Sequence, residues 1–260
     1  MKKNLRFNLK MLLLCMALIA SWLAWKVNSV REQEQASKFI RSKHGFIGYD
    51  FEYDVRAFRR KNPVPPTDPK WIERMGISWF HKIVWVELRG IPVDDETIRE
   101  IGNLRNLRGL FISGYEKPTP DIHGVKYTPP SLTNHGLWQL GKFKQLQRLY
   151  IDVGAAEFRK SGLWRNLEKL EQLTLQSARD SHMKYIAEVP NLKRLELWGD
   201  VSDNGLLRLA NMQTLLELDV PARTVSQATR QQLKAANPNL RILDQSTDSW
   251  QWQPYYQNVR

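Results

Sequence analysis

The chain has 260 residues, of which 42% are hydrophobic and 25% charged, with one Cys, 14 Gly and 13 Pro. Those shares exclude wholesale disorder, a polytopic membrane protein, a collagen-like or low-complexity chain, a disulfide scaffold and a cysteine-based zinc cluster. Lys and Arg number 39 against 27 Asp and Glu, a net charge of +12 that permits an anionic partner without demanding one.

Residues 1–8 carry Lys2, Lys3 and Arg6 and no acid. From Met11 to Trp25 only Ser21 is not apolar, and the wider segment 9–27 is long enough to cross a bilayer if Lys10 and Lys26 snorkel from its ends. Trp22 and Trp25 then fall at an interfacial aromatic belt. A cleaved signal peptide has the same basic start and apolar middle. The bulky tryptophans stand where a cleavage site needs small residues, so the reading adopted is an uncleaved signal anchor over 9–27. Leu14 before Cys15 argues against a lipoprotein, and Cys15 reads as one more apolar residue of the span. The positive-inside rule places 1–8 in the cytoplasm and the remainder of this cell-membrane protein outside. Residues 1–26 hold five basic residues and no acid, which leaves 34 basic against 27 acidic, or +7, for the exported part. That part has no cysteine, so its stability comes from burial.

Residues 28–80 read as a juxtamembrane helix and strand followed by a small α+β cap. A polar stretch over 28–44 suggests a helix leaving the membrane. Tyr49, Phe51, Tyr53 and Val55 alternate with Asp50, Glu52, Asp54 and Arg56, the period of a strand with one buried face. Arg59, Arg60, Lys61 and the Pro63–Pro66 run mark a boundary. Asp68 before Pro69 suits a helix N-cap and first turn. Trp71, Ile72, Met75 and Trp79 share one helical face and are expected to cover the open end of the segment that begins near residue 81.

From residue 83 onward the chain is periodic. A Leu-x-x-Leu-x-Leu pattern begins at Ile83, Leu107, Leu146, Leu170, Leu192, Leu215 and Leu240, at intervals of 24, 39, 24, 22, 23 and 25. The clearest copies are Leu146-Leu149-Ile151, Leu170-Leu173-Leu175 and Leu192-Leu195-Leu197. Between them, apolar residues recur every three: Ile98, Ile101 and Leu104; Leu137, Leu140 and Phe143; Leu206, Leu209 and Met212. Each unit is thus a short strand, a turn and a helical segment. One unit cannot cover its own apolar side, and stacking neighbours makes a continuous core.

These residues resemble leucine-rich repeats of the ribonuclease-inhibitor-like type, and more narrowly the bacterial membrane-anchored kind with turns such as Val201-Ser-Asp-Asn-Gly205-Leu206. The resemblance implies an α/β solenoid, a curved parallel sheet with convex helices, over 81–244 in about seven units. It implies a recognition role through the concave face. The interior Asn or Cys of that consensus is missing: those places hold Ile91, Tyr115, Gly154, Ala178 and Asp200. Asp94, Asp95 and Asp203 read as helix N-caps.

Outward strand positions can be read from the repeat. The third position gives Trp85, Gly109, Arg148, Gln172, Arg194, Glu217 and Ile242, the fifth gives Glu87, Phe111, Tyr150, Thr174, Glu196, Asp219 and Asp244, and the seventh includes Arg89, Ser113, Asp152, Gln176 and Trp198. The expected binding patch is Trp85, Phe111, Arg148, Tyr150, Arg194 and Trp198, because exposed aromatics mixed with Arg make interface hot spots. Aromatics also favour strands for their own sake, so ordinary strand filling is the alternative. The insertion near 114–130 is either a functional loop or a tolerated one. The aromatic tail 245–260 either caps the last repeat or recruits a partner. No histidine pair has metal-ligand spacing, no phosphate loop or nucleophile elbow occurs, and the one Cys lies in the span. No enzyme activity, cofactor, metal or nucleic-acid partner is expected. The partner is a protein or polymer, and the alternative role is an envelope scaffold whose basic surface rests on anionic lipid or cell-wall polymer.

Overall fold

A computed structural model describes residues 9–54, 58–59, 63–114, 127–154, 164–221 and 225–245. Helix α1 (Leu9–Ser42) runs 34 residues without a break, about 51 Å at 1.5 Å per residue. Its residues 10–25 are exposed, as expected of a segment that sits in lipid. From Val30 onward the same helix becomes part of the folded domain. Val30, Gln33, Ala36 and Ile40 are buried along one face, at the spacing of successive helical turns, and pack toward β1 (Phe46–Tyr49), the 3-10 turn Ile77–Trp79 and α3 (Asp95–Ile101). The apolar span and the face that packs on the domain therefore belong to one continuous helix, with no linker between them.

This placement corrects the expectation for the cap. Helix α2 (Pro69–Met75) starts where expected, with the Asp68 carboxylate accepting from the Lys70 N–H at 2.9 Å. It buries no side chain, and Trp71 is 53% exposed. The first repeat is closed instead by α1 and by β1, which pairs antiparallel with β4 (Ile83–Arg89) from Phe46↔Glu87 to Tyr49↔Ile83. The reason is hydrogen bonding. An edge strand leaves N–H and C=O groups open in a row, and a helix, whose free backbone groups lie only at its two ends, cannot pair with such a row, whereas a strand can. Gln33 completes the seam from the helix side: its Nε2 donates to the His81 carbonyl at 2.8 Å and its Oε1 accepts from the Ile83 N–H at 3.1 Å.

The alternating stretch at 49–55 is also more broken than its period suggests. Asp50–Glu52 is a turn between β1 and β2 (Tyr53–Asp54), which pairs antiparallel with β3 (Phe58–Arg59). The carboxylates that made the pattern look amphipathic close this turn. Glu52 accepts from the Tyr49 N–H at 2.8 Å, and Asp50 lies 3.0 Å from His81 Nδ1. Val55 and Arg56 lie outside the described residues.

Seven strands, β4 to β10, then run side by side in the same direction: β5 (Gly109–Ser113), β6 (Arg148–Asp152), β7 (Gln172–Arg179), β8 (Arg194–Asp200), β9 (Glu217–Pro221) and β10 (Arg241–Gln245). Val86, Leu110, Leu149, Leu173, Leu195 and Leu218 pair in one row, and Leu88, Ile112, Ile151, Leu175 and Leu197 in the next. All of them are buried, and they join the convex-side residues Ile98, Leu137, Ile186, Leu206 and Leu233 in one continuous core. The chain is a leucine-rich-repeat solenoid. The last strand corrects the sequence register by one residue: Arg241 pairs Glu217 and Ile242 pairs Leu218, so Ile242 packs on the core and Asp244 leaves the outward row. A slip of one residue exchanges the two faces of a strand.

The helix starts hold a second correction. Asp94 caps α3, accepting from the Thr97 N–H at 2.8 Å. Asp95 and Asp203 sit one residue further in and reach sideways, as does Asp180. The Asp95 carboxylate accepts from the Thr133 N–H at 2.8 Å and from its hydroxyl, and Thr133 caps α4 (Asn134–Gln139). Asp180 at the start of α5 (Asp180–Ile186) accepts likewise from Ser202, the cap of α6 (Asp203–Leu207). Asp203 accepts from the N–H of Ser226, the cap of α7 (Gln227–Ala236), at 3.0 Å. Each of these carboxylates ties its own helix start to the next. The close approach needs Gly136 and Gly205, where a Cβ would run into Asp95 and Asp180.

Candidate functional site: the concave face of the sheet

The outward positions of seven parallel strands form a surface read across the strands. Strand neighbours lie about 4.8 Å apart, so equal positions in successive repeats stack in rows. The third-position row runs Trp85, Gly109, Arg148, Gln172, Arg194, Glu217 and Arg241. The fifth runs Glu87, Phe111, Tyr150, Thr174, Glu196 and Asp219. All six residues expected on this face stand on it. They do not form one exposed patch, and this corrects the expectation for three of them.

The N-terminal part is filled by its own side chains. Trp85, Phe111 and Arg148 are 8%, 4% and 9% exposed. The Trp85 indole lies flat across Gly109, which has no side chain to lift it. Tyr53, delivered by β2, stacks on Trp85 with centroids 6.1 Å apart. Phe111 and Tyr150 stack at 3.9 Å, tilted by 12°, and the Arg89 guanidinium lies 4.1 Å over the Phe111 ring. Together Tyr53, Val84, Trp85 and Phe111, with Tyr150 against them, make a small second core on the concave side. Burial holds the Tyr150 hydroxyl protonated well above the ordinary phenol range, and the nearby Glu196 carboxylate adds to this.

The C-terminal part is polar and open. Arg194 is about half exposed and pairs with Asp219 at 2.8 Å and Glu217 at 3.7 Å. Burial works against its charge, but Asp219, Glu196 and Glu217 outweigh that and hold it protonated beyond its usual range. Arg241 reaches Glu217 at 3.2 Å. Glu196 accepts from the Thr174 hydroxyl at 3.0 Å and from the Trp198 indole N–H at 2.9 Å, which orients the Trp198 ring. Of the six expected residues, Tyr150 and Trp198 are partly exposed and Arg194 is exposed.

Asp152, an outward seventh-position residue in the repeat, was not among the expected binding residues. It is 1% exposed and accepts from the Tyr127 hydroxyl at 2.9 Å, the Gly154 N–H at 3.0 Å and the Ser177 hydroxyl at 2.9 Å. Tyr127 ends the insertion, and the Thr128 N–H donates to the Gly114 carbonyl at 2.7 Å, so both ends of that loop are pinned at the rim of the concave face. The signal for Asp152 was its seventh-position slot, an acid at the strand end just before Gly154. Residues 115–126 of the insertion and the tail 246–260 lie outside the described residues. Among the described residues no group of His, Cys, Asp and Glu is arranged to hold a metal ion.

No protein-family profile and no curated protein sequence matches the chain. Among solved structures, internalin C2 of Listeria monocytogenes is similar at 17% identity, over 63% of this chain and 81% of that one, with a TM-score of 0.34. A leucine-rich-repeat protein of Leptospira interrogans is similar at 16% identity, over 55% of this chain and 38% of that one, with a TM-score of 0.30. An internalin, inlF, of Listeria monocytogenes is similar at 13% identity, over 67% of this chain and 72% of that one, with a TM-score of 0.32. These likenesses are slight, and the fold stands on the parallel register and the buried leucine rows described above.

Proposed function

We propose that this chain is a membrane-anchored, extracytoplasmic recognition protein that binds a protein partner on the C-terminal half of its concave face and acts by binding rather than catalysis. The observation that carries the reading is the exposed Arg194 and the half-buried Trp198 on β8, oriented by Asp219 and Glu196, with the half-buried Tyr150 two strands away on β6. Side chains that are oriented before binding lose less freedom on association. A Trp, a Tyr and an Arg close together are the residue types that dominate binding energy. The apolar face of α1 up to residue 25, and the basic residues that precede it, support the anchor and its orientation. Export follows from that orientation.

The test is site-specific photo-crosslinking in intact cells. A photoreactive residue at Gln172 on the concave row should give a discrete adduct, and one at Gln232 on the convex helix α7 should not. Trp198→Ala should remove the Gln172 adduct while the protein level stays the same. An adduct that forms equally from both faces, or survives Trp198→Ala, contradicts the concave-face reading. Salt separates the scaffold alternative, favoured by the +7 balance of the exported part. Adhesion to anionic lipid or cell-wall polymer through charge should fade in ~1 M salt, where screening acts within about 3 Å, while a partner held by Trp198 should persist.

A further inference from the structure

A cleft of about 280 Å³ opens where α1 leaves its apolar run, between α1, the start of β4 and the loop 103–106 that precedes β5. Trp25, Asn28 and Glu32 line it from the helix, Lys82 from the strand and Arg105 from the loop. The Lys82 Nζ is shut off from water and, among the described residues, has no hydrogen-bond acceptor. Burial lowers its proton affinity, and the ammonium of Lys26 next to it lowers it further, against a smaller opposing pull from Asp50. Among the described residues Glu32 is the one carboxylate lining the cleft, and its Oε1 already accepts from the Asn28 amide at 2.9 Å. Two cations, Lys82 and Arg105, thus line the cleft beside one carboxylate, and a third, Lys26, lies near Lys82. A buried ammonium without an acceptor is costly, so the arrangement is completed by an anion that brings several acceptor oxygens.

Position selects the source of that anion. Trp25 is 60% exposed at the end of the run that sits in lipid, one residue before Lys26 and a turn before the first buried residue of the cap, Val30. A tryptophan at that point marks headgroup depth. We propose that this cleft binds the phosphate of an anionic phospholipid from the membrane that holds α1, with the exposed Arg105 donating to the phosphate oxygens, the Lys82 ammonium swinging out of its covered position to join it, and Trp25 packing against the upper acyl chain. A lipid so held fixes how α1 and the domain it packs on sit on the bilayer, and so the direction in which the concave face points. The inference rests on the membrane seating of α1 and is independent of any concave-face partner.

The full chain, purified in a non-ionic detergent, is titrated with dioleoylphosphatidylglycerol, dioleoylphosphatidylcholine or glycerol phosphate, and bound adducts are read by native mass spectrometry. One phosphatidylglycerol should bind at least about tenfold more tightly than phosphatidylcholine, which offers the same phosphate oxygens but whose choline cation is repelled by Lys82, Arg105 and Lys26. Lys82→Gln combined with Arg105→Gln should bring phosphatidylglycerol down to the phosphatidylcholine level, and Lys82→Arg should keep it. Equal binding of the two lipids by the wild type overturns the proposal whether or not the double variant folds. So does undiminished phosphatidylglycerol binding by a double variant whose thermal melt is intact. Displacement of the lipid by glycerol phosphate at comparable concentration assigns the cleft to a soluble phosphate and overturns the lipid assignment. Membrane fractionation reads the seating separately: the double variant should stay in the membrane fraction, and loss of the wild type from that fraction would contradict the anchor itself.

Discussion

Gly109 controls the N-terminal half of the concave face, and Gly109→Ala tests the packing there. A methyl at this position would overlap Cε3 and Cζ3 of Trp85. Ordinary contact begins at 3.4 Å, so the indole must shift by about 1 Å or more, and overpacking of this kind costs about 1–3 kcal/mol. The shift is resisted from above by Tyr53, stacked at 6.1 Å. Gly109 has no left-handed backbone angle, so Ala also gains the roughly 0.5–1 kcal/mol that Gly forfeits in a strand. The net expectation is about 1–2 kcal/mol of destabilisation. At about 2–4 °C per kcal/mol for a domain of this size, the melting point should fall by roughly 2–8 °C. The assay is thermal unfolding followed by circular dichroism, in a double-mutant cycle with Trp85→Ala. With the indole gone, Gly109→Ala should be neutral or stabilising, so the two changes must be strongly non-additive. The same destabilisation in both backgrounds would show that Trp85 does not lie across Gly109, and the account of a self-covered patch would fail with it.

Leu195→Ala removes a fully buried rung between Leu173 and Leu218 and should cost about 2–5 kcal/mol in chemical denaturation; an unchanged curve contradicts its inward assignment. Asp180→Ala removes the acceptor for the Ser202 N–H and hydroxyl and should cost about 1 kcal/mol, the usual scale of a lost cap, with faster hydrogen exchange confined to the starts of α5 and α6. Asp152→Ala strands three donors at once and should loosen the insertion, read as faster proteolysis between residues 114 and 127. Hydrogen bonds from the Thr97 hydroxyl and N–H hold the Asp94 carboxyl below its ordinary value. A carboxyl depressed in the folded state stabilises fully above its unfolded value of about 3.9 and loses that contribution as pH falls through the folded value. Asp94→Asn should therefore flatten the stability loss below about pH 4 and leave its slope at pH 7 unchanged.

The repeats were legible because burial and sequence period coincide in them. Leu146, Leu170 and Leu192 each stand two residues before a strand whose inward residues have no choice of face, and the parallel rows result. The edges of the stack were less legible because hydrogen bonding decides there, and it leaves little mark on an apolar period. The polar Gln33 closes the seam at Ile83, while the apolar Trp71 and Met75, which looked like core, stay exposed. At the other end, Leu240, Ile242 and Leu243 offer two apolar registers, and only the pairing with β9 settles which faces inward. The concave patch was half legible. Position in the repeat put all six residues on the right face, but Trp85 and Phe111 are covered by long-range neighbours, and the clue was local: an outward glycine at 109 beside an outward tryptophan at 85. The side-reaching carboxylates Asp95 and Asp203 looked like caps because a cap and a bridge to the next cap use the same residue type one position apart.

The parallel stack itself can be tested by disulfide trapping, since Cys15 is the one cysteine in the chain. In a Cys15→Ser background, Gln172→Cys with Arg194→Cys places two cysteines on paired positions of adjacent strands, within the roughly 4.4–6.8 Å between Cα atoms that a disulfide spans. Gln172→Cys with Glu217→Cys places them two strands apart, at about twice the 4.8 Å strand spacing. Mild oxidation of the folded protein should close the first pair rapidly and leave the second open. Efficient closure of the second pair, or none of the first, would mean that these strands do not lie side by side in the same direction, and the solenoid would be wrong.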